Sequence, residues 1–387
     1  MTIHPDLIHG AAELERTPVG LRPHRLPAWA RGRADEQLQR VEAQPAGVRV
    51  VFTTTAARVR LTALATRFGL TGVPPRAPGV FDAVVDGVLV ASATLDDAVT
   101  VTMDPATGRS TIDPADPGAV DFELGADDGR RRRVELWLPH VESVELVSLT
   151  ADAPLHPVLR AGRTWVHHGS SISQGSNAAT PAGTWASIAA RAGGVGLVNL
   201  GFGGSALLDP FVARVIRDAP ADLLSVKLGI NIVNADLMRR RAFAPAVHGF
   251  LDTIRDGHPD APLLLMTPLS CPIHEDTPGP GAFDLTALAQ GVTRFRATGD
   301  PAEVAAGRLT LRVIREDLER VFRDRSATDP NLFLLSGPDL YGPADAGAHP
   351  LPDALHPDAA THRLIGERFA TTVFGAGGAF GSPAAGH

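Results

Sequence analysis

Apolar and polar residues are arranged in two different ways along the chain. From 47 to 66, GVRVVFTTTAARVRLTALAT alternates with a period of two and is rich in Val and Thr, as expected of half-buried strands. From 79 to 95, GVFDAVVDGVLVASATL gives two more such runs around Asp86-Gly87, a dipeptide suited to a tight hairpin. TVTMD, VDFEL and RRVELWLPHVESVELVSL continue the pattern with turn residues between them. These short strands, with no convincing helix among them, predict an all-β sandwich or jelly roll over 26–160, preceded by a Pro-containing lead-in over 1–25.

After Pro157 the period changes. Short apolar runs now alternate with helix-period segments: RTWVHHG, then TPAGTWASIAARAGG; GLVNLG, then LDPFVARVIRDAP; DLLSVKLG, then AFAPAVHGFLDTIRDGHP. PLLLMTPL, GRLTLRVIREDLERVFRDR, NLFLLSG and DAATHRLIGERFATTVFG complete the series. Alternating units of this kind predict a mostly parallel sheet covered on both faces, over 161–387. Residues 275–307, Pro/Gly-rich and then Ala-rich, break the rhythm and read as an insertion.

Composition narrows the class. At 387 residues two domains are expected, and 44% hydrophobic with 20% charged residues is the balance of a globular protein. The net charge of −7 argues against a nucleic-acid partner. The first residues lack the charged and apolar regions of a secretory leader, and no stretch of 18 apolar residues occurs, so a cytoplasmic protein without a membrane partner is expected. Cys271 is the single cysteine, so no internal disulfide is possible.

Ligands of open α/β sheets bind outside the carboxyl ends of the strands. The residues that follow each predicted strand are therefore the candidates for chemistry. Gly169-Ser170-Ser171-Ile172-Ser173-Gln174-Gly175 follows the first, Gly201-Phe202-Gly203-Gly204 ends the second, and Gly229-Ile230-Asn231 follows the third. Asp353-Ala354-Leu355-His356 precedes the last helix. An Asp three residues before a His can hold its imidazole N–H, which frees the other nitrogen to take a serine proton. A glycine amide and an asparagine side chain are suitable donors for a developing oxyanion.

These blocks, in this order over about 160–375, resemble the SGNH (GDSL-type) esterases and acylhydrolases. The resemblance implies a flavodoxin-like three-layer α/β domain with a parallel sheet. It implies Ser171 as nucleophile, with Asp353 and His356 completing a catalytic triad. It also implies the Ser171 amide, Gly204 and Asn231 as oxyanion donors. Two positions depart from the family pattern: Ser170 stands where Asp is usual, and Ile232 follows Asn231 where Asp is common. A β-sandwich ahead of such a domain is similar to some carbohydrate esterases that remove acetyl groups from sugars.

The expected function is that of a serine esterase cleaving a small acyl ester, acetyl foremost, of a carbohydrate or small metabolite. Two alternatives stay open: an acyltransferase using the same triad, and a carbohydrate-binding protein on an inactive hydrolase scaffold. His168, Ser170 and Gln174 are expected to line the substrate pocket. His167 and His168 are adjacent on a strand and point to opposite faces, so one metal ion is not expected between them. No HExxH or paired-Cys ligand set occurs, and no cofactor is expected.

Overall fold

The computed structural model describes residues 3–125, 128–158 and 162–381. The expected domain boundary at 160/161 and the two chain ends lie outside these ranges.

The first half folds into two packed β-sheets. One sheet runs in the order Ile8–His9, Arg49–Thr54, Arg132–Trp137, Val80–Val85, Val88–Thr94. The other runs Glu13–Arg16, Leu21–His24, Ser143–Ala151, Arg58–Leu70, Val99–Met103, Ser110–Asp113. Val50, Phe52, Leu61, Phe81, Leu136 and Leu146 meet between them in one apolar core. The alternation read at 118–123 is visible in the burial, with Val120 and Phe122 inside and their neighbours outside. Asp86 and Gly87, both at positive φ (47° and 86°), close the hairpin between Val85 and Val88.

Two features of this half depart from the expected lead-in and all-β region. The described part of the 1–25 lead-in is woven into the sandwich: its strands pair in both sheets, and Ile3 and Leu7 enter the core. The region also contains helices, Ala28–Arg31 and Glu36–Glu42, the latter capped by the Asp35 carboxylate accepting from Leu38 N–H at 2.8 Å. These helices are short, and their apolar residues are spaced for packing against the second domain, which hides them from a period-two reading. Leu26, Ala30, Leu38 and Val41 join the core of that domain.

The second half is a five-stranded parallel sheet, β1 (Thr164–Gly169), β2 (Gly196–Gly201), β3 (Leu223–Lys227), β4 (Leu263–Met266) and β5 (Leu332–Leu335). The strand order is β2-β1-β3-β4-β5, the flavodoxin-like arrangement. Strands buried on both faces are near-continuous apolar runs, which is why LLSVK, LLLM and LFLL were readable as strands. Helices Trp185–Ala192 and Ala359–Phe369 cover one face, around Trp165, Trp185 and Phe369. Pro210–Asp218, Arg240–Gly257 and Leu311–Ser326 cover the other, around Phe202, Phe250 and Ile314. Right-handed crossovers bring the loops after β1, β2 and β3 to one rim. The 275–307 segment forms a two-stranded hairpin, Gly281–Phe283 with Phe295–Ala297. No helix among the described residues is long and apolar enough to cross a membrane.

Candidate active site

β1 ends at Gly169, where the chain turns sharply. A side chain there would sit 2.3 Å from Ser173 Oγ, so only glycine fits. Ser170 is extended, and Ser171 opens the single helical turn Ser171–Gln174. The Ser171 hydroxyl lies 2.9 Å from His356 Nε2. On the other side of the ring, His356 Nδ1 donates to Asp353 Oδ2 at 2.7 Å. Asp353 Oδ1 accepts from the backbone amides of Leu355 (2.9 Å) and His356 (2.7 Å), which ties the carboxylate to the turn that carries the histidine. Ala354, within that turn, has φ 66°, a strained value for a residue with a side chain. The structure thus joins Ser171, His356 and Asp353 in one continuous line of hydrogen-bonding groups.

The donors implied for an oxyanion lie beside this line. Gly203 comes within contact range of Ser171, since a side chain built on it would meet Ser171 Cβ at 3.7 Å. Its amide is already committed to Gln174 Oε1 at 2.8 Å. Gly204 follows at φ 74°, a conformation glycine adopts freely. Among the described residues, neither the Gly204 nor the Ser171 amide has a hydrogen-bond partner. Asn231, buried at the start of the turn Ile230–Asn234, accepts from Ala206 N–H through Oδ1 at 3.1 Å. Because an N–H must face the carbonyl oxygen, this bond fixes the side-chain orientation and leaves Nδ2 as an unpartnered donor.

Comparison with known proteins follows from this geometry. Residues 163–273 match the model of the GDSL-like lipase/acylhydrolase family. Over that segment the chain is similar to that family. A solved salicylyl-acyltransferase, SsfX3 from a tetracycline biosynthetic pathway, is 27% identical, with a TM-score of 0.74 over 93% of this chain and 92% of that one. A family two carbohydrate esterase from Clostridium thermocellum shares the fold at 14% identity, with a TM-score of 0.55 over 86% of this chain and 93% of that one. The acetyl xylan esterase Est2A from Butyrivibrio proteoclasticus does so at 12%, with a TM-score of 0.52 over 97% of each. A search of curated proteins by sequence finds no match.

The three residues expected to line the pocket, His168, Ser170 and Gln174, are buried in the structure. His168 is 1% exposed, donates from Nδ1 to Leu200 O (2.8 Å), and stacks on Phe250. Burial pushes its pKa down to about 4, so it is neutral. Ser170 is 1% exposed and its hydroxyl has no partner. Gln174 is a joint: its amide donates to Gln44 Oε1 and to His140 O of the sandwich while its carbonyl holds Gly203. All three side chains turn inward, away from the rim.

His167 and His168 do point to opposite faces. His167 bridges Ser225 Oγ (2.7 Å) and Ser173 Oγ (2.8 Å), so Ser173 belongs to a buried network and is not a loop or cap serine. Among the described residues, no group of three or more His, Cys, Asp or Glu side chains could hold a metal. Cys271 is buried, and burial together with Glu275 pushes its thiol up to about 12, so it stays a thiol.

Several residues near the acylhydrolase site were not singled out by sequence. Asn177 donates to Asp353 Oδ2 at 3.0 Å. Phe295, from the 275–307 insertion, sets its ring edge-on to His356 at 5.6 Å, and its amide donates to Asp353 O at 2.9 Å. Lys227 ends β3 almost fully buried, beside a cavity of about 10 Å³ lined also by Ile172, Ile230 and Cys271. Burial would raise the Asp353 pKa. The His356 hydrogen bond and charge and the two amides outweigh that effect and hold it at about 2, an ionised carboxylate at any physiological pH.

Proposed function

We propose that this protein is a serine acylhydrolase that cleaves a small acyl ester through an acyl-Ser171 intermediate. The observation that carries the reading is the Ser171–His356–Asp353 line, at 2.9 and 2.7 Å, beside three unpartnered donors. His356 Nε2 takes the hydroxyl proton as Ser171 Oγ attacks the ester carbonyl. Asp353 holds the tautomer and stabilises the imidazolium that forms. The Ser171 and Gly204 amides and Asn231 Nδ2 receive the negative charge that develops on the carbonyl oxygen. Collapse breaks the ester C–O bond, and His356 returns the proton to the leaving alkoxide. Water, deprotonated by the same nitrogen, then releases the acid.

Acetyl is the acyl group we propose. The cavity beside Ile172 and Ile230 has room for about one water-sized group, which suits the methyl of an acetyl better than a chain. The esterase folds that pair a sandwich with such a domain include an acetyl xylan esterase, which supports a carbohydrate or small-metabolite ester.

A second reading has its own support. The likeness to the salicylyl-acyltransferase extends over both domains at 27% identity, and the same residues would pass the acyl group to an alcohol or amine in place of water.

Intact mass spectrometry after fluorophosphonate treatment tests the enzyme reading. One adduct mapping to Ser171 and absent from Ser171→Ala is expected; no adduct together with no turnover of p-nitrophenyl acetate would refute it. Product analysis with and without added alcohol or amine acceptors separates hydrolysis from transfer.

A further inference from the structure

At the opposite, amino-terminal edge of the parallel sheet, the two domains enclose a second cavity of about 290 Å³. The sandwich supplies Arg49, Arg133, Glu135 and Trp137 to its wall, and the acylhydrolase domain supplies Arg163 and Arg191. Four guanidinium groups therefore surround one carboxylate. Glu135 pairs with Arg133 at 2.9 Å and lies 3.6 Å from Arg49 Nε. Arg163 and Arg191 have no ion pair among the described residues, although both are partly buried. Burial lowers the Arg191 pKa, and the charges of Glu135 and then Asp82 act against it from beyond ion-pairing distance; the Asp82 oxygens are occupied by Ser92 Oγ–H and the Ala182 amide.

Two buried donors of the wall are also unsatisfied. Trp137 is 1% exposed and its indole N–H has no partner; Arg49 is 5% exposed and its Nε–H makes no hydrogen bond. Buried donors without acceptors are uncommon in folded proteins. The surrounding charge is felt by His9 on the same wall. Burial, and then the cations of Arg49 and Arg133, lower its pKa and keep it neutral. Positive charge on the cavity wall therefore outweighs the single carboxylate of Glu135.

We propose that this interdomain cavity is a binding site for a small phosphate monoester. A phosphate dianion would offset most of the three surplus positive charges and offer its oxygens to the planar guanidinium forks of Arg163 and Arg191. The volume exceeds that of a bare phosphate, which leaves room for a small organic group against Val84 and Val195. The bound ester spans both domains, so it ties the sandwich to the acylhydrolase domain at a distance from Ser171.

Isothermal titration calorimetry of the full chain with glucose 6-phosphate and with inorganic phosphate, at matched ionic strength, tests the proposal. One-to-one saturable binding of the ester, tighter than that of the free ion, is expected. Arg163→Gln/Arg191→Gln should weaken it by at least about tenfold while p-nitrophenyl acetate turnover stays unchanged. Arg163→Gln alone, at a half-buried side chain without an ion pair among the described residues, should weaken it several-fold even if the double variant does not fold. Absence of saturable heat, equal affinity for the free ion, or wild-type affinity in the folded variants would overturn the assignment.

Discussion

Asn177 donates its side-chain amide to Asp353 Oδ2 at 3.0 Å, the same oxygen that accepts the His356 Nδ1 hydrogen at 2.7 Å. The donor sits six residues after Ser171 in the left-handed region, at φ 66°, which asparagine tolerates better than most residues. The loop that presents the nucleophile therefore also braces the acid, 176 residues away. Asn177→Ala should leave the three main residues in place but free one edge of the carboxylate. We expect kcat to fall about three- to tenfold with KM little changed, the size of effect that loss of one hydrogen bond of about 1 kcal/mol gives. Steady-state kinetics on p-nitrophenyl acetate checks it; an unchanged kcat would mean that the bond has no role in orienting Asp353.

Asp353 affects stability as well as chemistry. Its folded pKa of about 2 lies below the ordinary aspartate value of 3.8, so the native state holds the proton less tightly than the unfolded chain. The stabilisation is therefore fully present above about pH 4 and is lost as pH falls toward 2, and it amounts to roughly 2 kcal/mol. Asp353→Asn should lower kcat by about 10⁴-fold through the wrong histidine tautomer. Its denaturation midpoint should also lack the part of the pH 4-to-2 decline that the wild type shows. Urea titrations across that range, compared between the two proteins, read the difference directly.

The strands and helices of the second domain and the Asp353/His356 turn were legible because each is written locally. An apolar run of four to six residues marks a buried parallel strand, and a carboxylate three positions before a histidine is close to it in any turn. What was illegible joins distant segments. Arg25, fully buried, donates to the carbonyls of Asn199, Gly201 and Val41 and so links the sandwich to the glycine loop; nothing near Arg25 in sequence announces this. Gln174 looked like a rim residue because it follows the nucleophile. Its partners, Gln44 and the His140 carbonyl, lie in the other domain and draw it inward. Phe295 reaches His356 from an insertion whose composition marks only a break in the sheet rhythm.

Asn231 separates binding from transition-state stabilisation. Its Oδ1 is held by the Ala206 amide, so Nδ2 is preorganised and needs no rearrangement when charge develops. Asn231→Ala should reduce kcat by about 10²- to 10³-fold with a small change in KM, since the ground-state carbonyl is a weaker acceptor than the oxyanion. Equal losses in binding of substrate and in turnover would instead make Asn231 a ground-state contact.

Lys227, the only lysine in the chain, is 5% exposed at the end of β3, and no ion pair reaches it among the described residues. Its Nζ lies 5.6 Å from the Trp185 ring, a weak partner for a buried ammonium. Burial lowers its pKa from 10.5 to about 7. Below pH 7 both the folded and unfolded chains carry the proton, and the native state bears the full penalty of a desolvated cation. Between about pH 7 and 10 the folded protein releases the proton while the unfolded chain keeps it, so this residue's penalty is relieved as pH rises. Lys227→Met, of similar length and apolar, should therefore stabilise the protein at pH 6 by a few kcal/mol, and the gain should shrink toward zero near pH 10. Guanidinium denaturation of both proteins at the two pH values measures the difference. A gain of equal size at both would assign it to packing alone and contradict the buried cation.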